Sequence, residues 1–205
     1  MNVSLNPQYA IRNEPNCSYI VNKSTTIDER VEKGFNIAQI PPYVGLILSK
    51  FDGRDYSQTV MDIAKELNLS NHSIRSFTEK LVENPTIKEI KWKNESFFFP
   101  MYLLVKKECK NIDVRFHKDY TAYAEFQPHR PHRPFNVNLM ITTKCKTDCI
   151  YCYADRNKSD DLSLYKILQI IDDAHQSGVV NFTITYNRKN KKYTNIKQIV
   201  QLILR

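Results

Sequence analysis

The chain has 205 residues, of which 41% are hydrophobic and 25% are charged. This balance is typical of a globular protein and excludes a largely disordered one. The formal net charge of +8 is compatible with nucleic acid but suits an acidic peptide equally well, so the basic surplus alone does not predict a nucleic-acid partner.

The first residues lack a basic region followed by an apolar core, so no signal peptide is predicted. No stretch reaches the ~18 apolar residues that cross a bilayer. We therefore expect a cytoplasmic protein without a membrane partner. Five cysteines, three of them clustered, indicate metal or redox chemistry in such a protein rather than disulfides.

The first predicted elements are two strands, at residues 8–13 and 18–22, on either side of a turn at residues 14–16. A helix should begin at Pro41-Pro42, because proline is favoured in the first helical turn. Gly53 is interpreted as the left-handed stop of this helix.

A second helix is predicted over residues 56–67, where apolar residues recur at i, i+3, i+4 and i+7. Ser70-Asn71 offers the predicted N-cap of a third helix that runs to about residue 83. Two strand-like segments follow, at residues 87–92 and 96–105. Three helices followed by a hairpin form the winged-helix pattern, so the first part of the chain is predicted to be an α+β winged-helix domain.

The same helices also fit a DNA-binding helix-turn-helix, whose second helix enters the major groove. In this chain that helix offers a mixed set of polar side chains rather than a strongly basic one, namely His72, Arg75, Glu79 and Lys80. DNA binding therefore stays an alternative, and nucleic acid is not the favoured partner.

A proline-rich segment at residues 126–134 is predicted to link the domain at residues 1–125 to a second one at residues 135–205. Proline restricts both itself and its predecessor to extended geometry. His129 and His132 lie within this linker. They are interpreted as solvated side chains, with metal ligation as the alternative.

Beyond the linker the predicted order is strand, loop, helix, strand, helix. Apolar residues alternate from Phe135 to Ile141, a helix with an apolar face ends at Gly178, a second strand covers residues 180–184, and a final helix covers residues 196–203. Such a βαβα unit implies parallel strands joined by a helical crossover.

The loop after the first of these strands contains the spacing C-x3-C-x2-C, formed by Cys145, Cys149 and Cys152. Three thiolates at this spacing can bind three irons of a cubane cluster and leave the fourth iron open. Thiolates also suit zinc, but a structural zinc site normally takes four protein ligands. The other two cysteines, Cys17 and Cys109, are isolated and are interpreted as small buried residues.

This loop resembles that of radical S-adenosylmethionine (SAM) enzymes, which carry C-x3-C-x-aromatic-C after the first strand of a partial TIM-type barrel. The resemblance implies a [4Fe–4S] cluster on Cys145, Cys149 and Cys152, with Tyr151 near the adenine of SAM. It also implies an electron donor such as flavodoxin or ferredoxin. Residues 135–205 would then be the βαβα start of an incomplete α/β radical SAM core.

The first domain resembles the small winged-helix peptide-recognition domains fused to radical SAM peptide maturases, which are relatives of the pyrroloquinoline quinone peptide chaperone. The resemblance rests on the early strand pair, on Ile40-Pro41-Pro42-Tyr43 and on Phe51-Asp52-Gly53. It implies that the domain binds the leader of a precursor peptide as an added strand, so that the whole protein would mature a ribosomally made peptide.

Two features depart from the family pattern. The second strand is followed by a basic segment, residues 186–192, where the family has a Gly-Gly-Glu-Pro-like segment that binds the amino group of SAM. Only two βα units follow the linker, whereas a radical SAM core has about six. Three interpretations stay open: a truncated or split product that is inactive alone, half of an enzyme completed by a second chain, or a peptide-binding protein with a residual metal-binding loop.

Overall fold

The computed structural model describes residues 1–23, 37–92, 95–109, 111–141 and 162–185. The chain divides into two compact units, Met1–His132 and Arg133–Arg205. The boundary therefore falls inside the predicted linker, residues 126–134, and the first unit includes linker residues 126–132. Among the described residues, the sheets are small and none closes into a barrel.

The first unit contains nine described strands and three described helices. In chain order they are β1 (Asn2–Leu5), β2 (Tyr9–Glu14), β3 (Cys17–Asn22), β4 (Ile37–Ile40), α1 (Pro42–Ser49), β5 (Asp52–Asp55), α2 (Tyr56–Leu67), α3 (Asn71–Glu79), β6 (Lys88–Trp92), β7 (Glu95–Phe99), β8 (Leu104–Val105) and β9 (Asp113–Phe116).

The main sheet has four strands in the order β4-β3-β2-β9. Its centre is the hairpin of β2 and β3, in which Glu14 pairs with Cys17 and leaves Pro15-Asn16 as the loop. This confirms the two strands predicted at the start of the chain. β4 adds antiparallel to β3, and β9 adds parallel to β2. Both central strands are buried along their whole length.

A second sheet has the order β5-β1-β8, and β6 and β7 form a separate antiparallel hairpin. Of the nine described strands of the first unit, four were not predicted from the sequence: β1, β4, β5 and β9. Each has four residues, which is too short for a period of two to be recognised.

The three helices confirm the predicted order, and their ends follow from local capping. The Asp55 carboxylate accepts a hydrogen bond from Gln58 N at 3.1 Å and starts α2, while Asn68 ends it in a left-handed conformation. The Ser70 hydroxyl accepts from Ser73 N at 3.1 Å and confirms the predicted N-cap of α3.

Three predicted boundaries are wrong. α3 ends at Glu79, because the chain turns at Glu83 with a φ of +55° and Val82 forms a bridge with Leu104. The strand expected over 96–105 is divided into β7 and β8. Gly53 has the expected positive φ of +96° but lies within β5, since α1 already ends at Ser49.

The second unit contains β10 (Asn136–Met140), α4 (Leu164–Gln176) and β11 (Asn181–Thr185). β10 and β11 pair in parallel, from Asn136 opposite Asn181 onward. The predicted strand, helix and parallel strand are therefore confirmed, and Gly178 follows the helix with a φ of +79°. The predicted final helix and the basic segment lie outside the described residues.

In the part of the chain that the structure describes, no helix combines the length and apolar character needed to cross a bilayer. The hydrophobic core of the first unit lies between the sheets and the helices. Its largest fully buried side chains include Tyr9, Phe51 and Phe99.

Candidate functional site

The cysteine loop leaves the carboxyl end of β10. Cys145, Cys149, Tyr151 and Cys152 themselves lie outside the described residues, which stop at Ile141 and resume at Leu162. The two flanking residues are joined, because Leu162 N donates to the Ile141 carbonyl at 3.2 Å. Residues 142–161 therefore begin and end at hydrogen-bonded neighbours.

A small apolar core supports both ends of this loop. Ile141 and Ile167 are fully buried, with partly buried side chains packed against them: Leu139, Leu162, Ile171 and Ile184. Helix α4 starts immediately after the loop, where the Ser163 hydroxyl accepts from Lys166 N at 3.3 Å. The described residues on the two sides of the motif therefore belong to a strand and a helix cap, and the small core that joins them includes a residue of the neighbouring parallel strand.

The histidines of the proline-rich segment differ in exposure: the side chain of His132 is 48% exposed, as expected of a solvated residue, and that of His129 is 27% exposed. Residues 127–132, which we call the strap, are held against the main sheet. Gln127 N donates to the Asn16 carbonyl at 3.0 Å. The His129 carbonyl accepts from the Tyr19 hydroxyl at 2.6 Å and from Gln39 Nε2 at 2.9 Å.

Both strap histidines approach the carboxylate of Glu14, the last residue of β2. His132 N and Nδ1 lie 3.1 and 2.7 Å from Glu14 Oε2, and His129 Nδ1 lies 3.9 Å from the same oxygen. From the sequence, Glu14 was expected only as part of a turn. The spacing H-x2-H was visible in the sequence, but the carboxylate is more than 100 positions away in the chain, so no local pattern could connect them.

Glu14 is a buried carboxylate with a buried cationic partner. The Glu14 side chain is 1% exposed and that of Arg12 is 7% exposed, and Arg12 Nε lies 2.9 Å from Glu14 Oε1. Burial lowers the pKa of the Arg12 guanidinium, and the neighbouring carboxylate opposes that shift. Arg12 thereby holds one carboxylate oxygen while the other faces the strap.

The two isolated cysteines differ in burial. Cys17 is buried as expected, and burial raises the pKa of its thiol to about 11, so it is protonated at neutral pH. Cys109 is partly exposed, contrary to the expectation of a buried residue.

A groove of about 420 Å³ opens beside α2, α3 and the end of β8. Its lining combines apolar and charged side chains, including Tyr56, Arg75, Glu79, Val82 and Lys106. The Arg75 guanidinium lies 5.3 Å from the centre of the Tyr56 ring, a cation–π arrangement that orients the cation. The charged part of the lining is mixed, because Arg75 and Lys106 are accompanied by Glu79, which lies 4.0 Å from the Arg75 guanidinium.

Comparison of the chain with protein-family models, with curated proteins and with solved structures gave no match. The functional interpretation therefore depends on the motifs of the sequence and on the geometry of the described residues.

Proposed function

We propose that this chain is a cytoplasmic protein of the radical SAM type that takes part in the maturation of a ribosomally made peptide. The observation that carries the proposal is the position of the C-x3-C-x2-C motif. It lies between the carboxyl end of a strand and the crossover helix that leads to a parallel neighbour. In α/β sheets, ligands bind at this end of the strands.

Cys145, Cys149 and Cys152 would hold a [4Fe–4S] cluster whose open iron binds SAM, and Tyr151 would lie at the adenine. Such a cluster supplies the electron that starts radical chemistry, and it needs an external donor such as flavodoxin or ferredoxin. A reducing cytosol keeps the three thiols available as ligands. A second chain that completes the barrel would supply the remaining strands.

We expect anaerobic reconstitution of the full chain with iron and sulfide to give about four irons per protein. The product should show iron–sulfur absorption and an electron paramagnetic resonance signal after reduction, and SAM should alter that signal. Cys149→Ala should abolish the cluster, whereas Cys109→Ala, which removes a thiol outside the motif, should retain it. Zinc binding by the motif without any cluster would contradict the proposal.

The alternative is a peptide-binding protein with a residual metal-binding loop, and the basic segment in place of the Gly-Gly-Glu-Pro-like segment favours it. The two functions differ in SAM cleavage. Formation of 5′-deoxyadenosine by the reconstituted chain, alone or with a candidate second chain, would support the enzyme. A cluster that never cleaves SAM under these conditions would favour the alternative.

We assign peptide recognition to the groove beside α2 and α3, where Lys106 contributes a positive charge to the lining. Lys106→Glu should weaken binding of a precursor peptide at least tenfold, because it places a like charge against an acidic segment. Short reading frames adjacent to the coding sequence supply the candidate peptides, and fluorescence anisotropy measures the binding.

The matched control for Lys106→Glu is Lys107→Glu, which makes the same charge change one residue along, outside the groove lining. It should leave peptide binding nearly unchanged. Equal losses in both variants would indicate a nonspecific charge effect. Binding of random double-stranded DNA in preference to any peptide would favour the DNA-binding alternative.

A further inference from the structure

Three metal-ligating side chains meet where the strap crosses the end of β2. One carboxylate oxygen of Glu14 and one ring nitrogen each of His129 and His132 lie within 4.8 Å of one another. Donors around a tetrahedral zinc ion are roughly 3.4 Å apart, given bonds of ~2.0–2.2 Å. We propose that Glu14, His129 and His132 form a site for a zinc-class divalent cation that clamps the strap to the main sheet.

The ring of His129 has a nitrogen available for such an ion. Its Nδ1 lies 2.7 Å from the carbonyl oxygen of Arg130, and this geometry assigns the proton of the neutral ring to Nδ1. The lone pair is then on Nε2, which is buried and has no hydrogen-bond partner among the described residues. Buried polar atoms without partners are uncommon, and a metal ion would satisfy this one.

One oxygen of the Glu14 carboxylate also faces the proposed metal position. Its Oε1 makes the ion contact with Arg12 but, within the described residues, no hydrogen bond. Its Oε2 faces both histidines, at 2.7 Å from His132 Nδ1 and 3.9 Å from His129 Nδ1. The three candidate ligand atoms lie within 4.8 Å of one another, so modest rotations of the side chains would bring them to the ~3.4 Å spacing of a tetrahedral site.

The donor set selects the class of cation. Two imidazole nitrogens and one carboxylate oxygen suit zinc and its transition-metal neighbours, whereas calcium and magnesium prefer oxygen ligands alone. The location indicates what the ion would do. His132 is the last residue of the first unit, so the ion would hold the end of that unit to β2 and add to the backbone hydrogen bonds that His129 already makes.

The test uses the full chain with Cys145, Cys149 and Cys152 all replaced by alanine, so that no motif thiolate can bind zinc. After treatment with chelator, calorimetric titration with zinc chloride should give one equivalent bound, and zinc should raise the thermal midpoint reversibly. His129→Ala and His132→Asn should each weaken zinc binding at least tenfold. His72→Ala removes an exposed histidine from α3 and should leave the affinity unchanged.

The side-chain amide in His132→Asn can donate a hydrogen bond from near the position of Nδ1. The contact with Glu14 can therefore persist, although the imidazole that would bind the metal is lost. Circular dichroism of each variant without metal separates loss of a ligand from loss of the fold. Absence of zinc binding in the chain without the three motif cysteines would overturn the proposal, as would equal affinity in the parent, His129→Ala and His132→Asn proteins. Neither outcome bears on the iron–sulfur cluster, which uses different residues.

Discussion

Glu14→Ala should destabilise the protein by about 3–5 kcal/mol, because it leaves the charge of Arg12 in the interior without its carboxylate partner. Both side chains are almost fully buried, at 1% and 7% exposure. Removing one member of such a pair forfeits the attraction but keeps the desolvation cost of the other. The free energy of unfolding should be measured in urea with a chelator present, so that any bound metal makes no contribution.

The matched control is Glu66→Ala. Glu66 Oε2 lies 2.8 Å from Lys50 Nζ, a similar separation, but the two side chains are 46% and 33% exposed. Solvent screens a pair of this kind, and its loss should cost less than about 1 kcal/mol. If the two variants cost the same, burial is not what makes the Arg12–Glu14 pair important.

Gly45→Ala should destabilise the protein by about 3 kcal/mol, although alanine is the better helix former by about 1 kcal/mol. A Cβ at Gly45 would lie well under 3.0 Å from the side chains of Ser18 and Asn13. Overpacking of this kind costs about 1–3 kcal/mol, and breaking buried hydrogen bonds adds a comparable amount.

The hydrogen bonds at risk form a network beneath α1. The Ser18 hydroxyl donates to Asn13 Oδ1 at 2.7 Å, and Asn13 Nδ2 donates to the Ser49 hydroxyl at 3.0 Å. The Ser49 hydroxyl in turn donates to the Gly45 carbonyl at 2.7 Å. Gly45 therefore allows a helix to approach two central strands closely enough for their polar side chains to be satisfied.

Thermal and urea unfolding measure this effect, with Lys65→Ala on the exposed face of α2 as the control. That variant should change stability by less than about 0.5 kcal/mol. In a double-mutant cycle, the cost of Gly45→Ala should fall when Ser18→Gly is also present, because two of the three nearest atoms belong to Ser18. A neutral or stabilising effect of Gly45→Ala alone would contradict the close approach.

Elements with strong local signals were predicted from the sequence. Helix α2 is observed over the predicted residues because its apolar period, the Asp55 cap and the Asn68 stop agree. The crossover from β10 through α4 to β11 was also predicted, because its strands and its helix each show a clear apolar period. Short strands such as β9 were not predicted, because four residues that pair with a strand about 100 positions away show no local pattern in the sequence.

The two candidate sites also differ in how far their residues are separated along the chain. The cysteine motif is a local spacing, and its position after a strand follows from the periodicity on either side of it. The Glu14–His129–His132 cluster depends on β2 ending under the strap. It exists only when residues separated by 115 and 118 positions are brought together.

The sequence alone determined the helices, the β2–β3 hairpin, the parallel pair in the second unit and the cysteine motif. Each of these depends on a pattern of residues that lie close together in the chain. Only the tertiary structure decided that a proline-rich segment would become a strap and that Glu14 would be buried. It also decided that Gly45 would lie against Ser18. The physical reason is that burial and ligand geometry depend on contacts between distant segments, which hydrophobic periodicity does not encode.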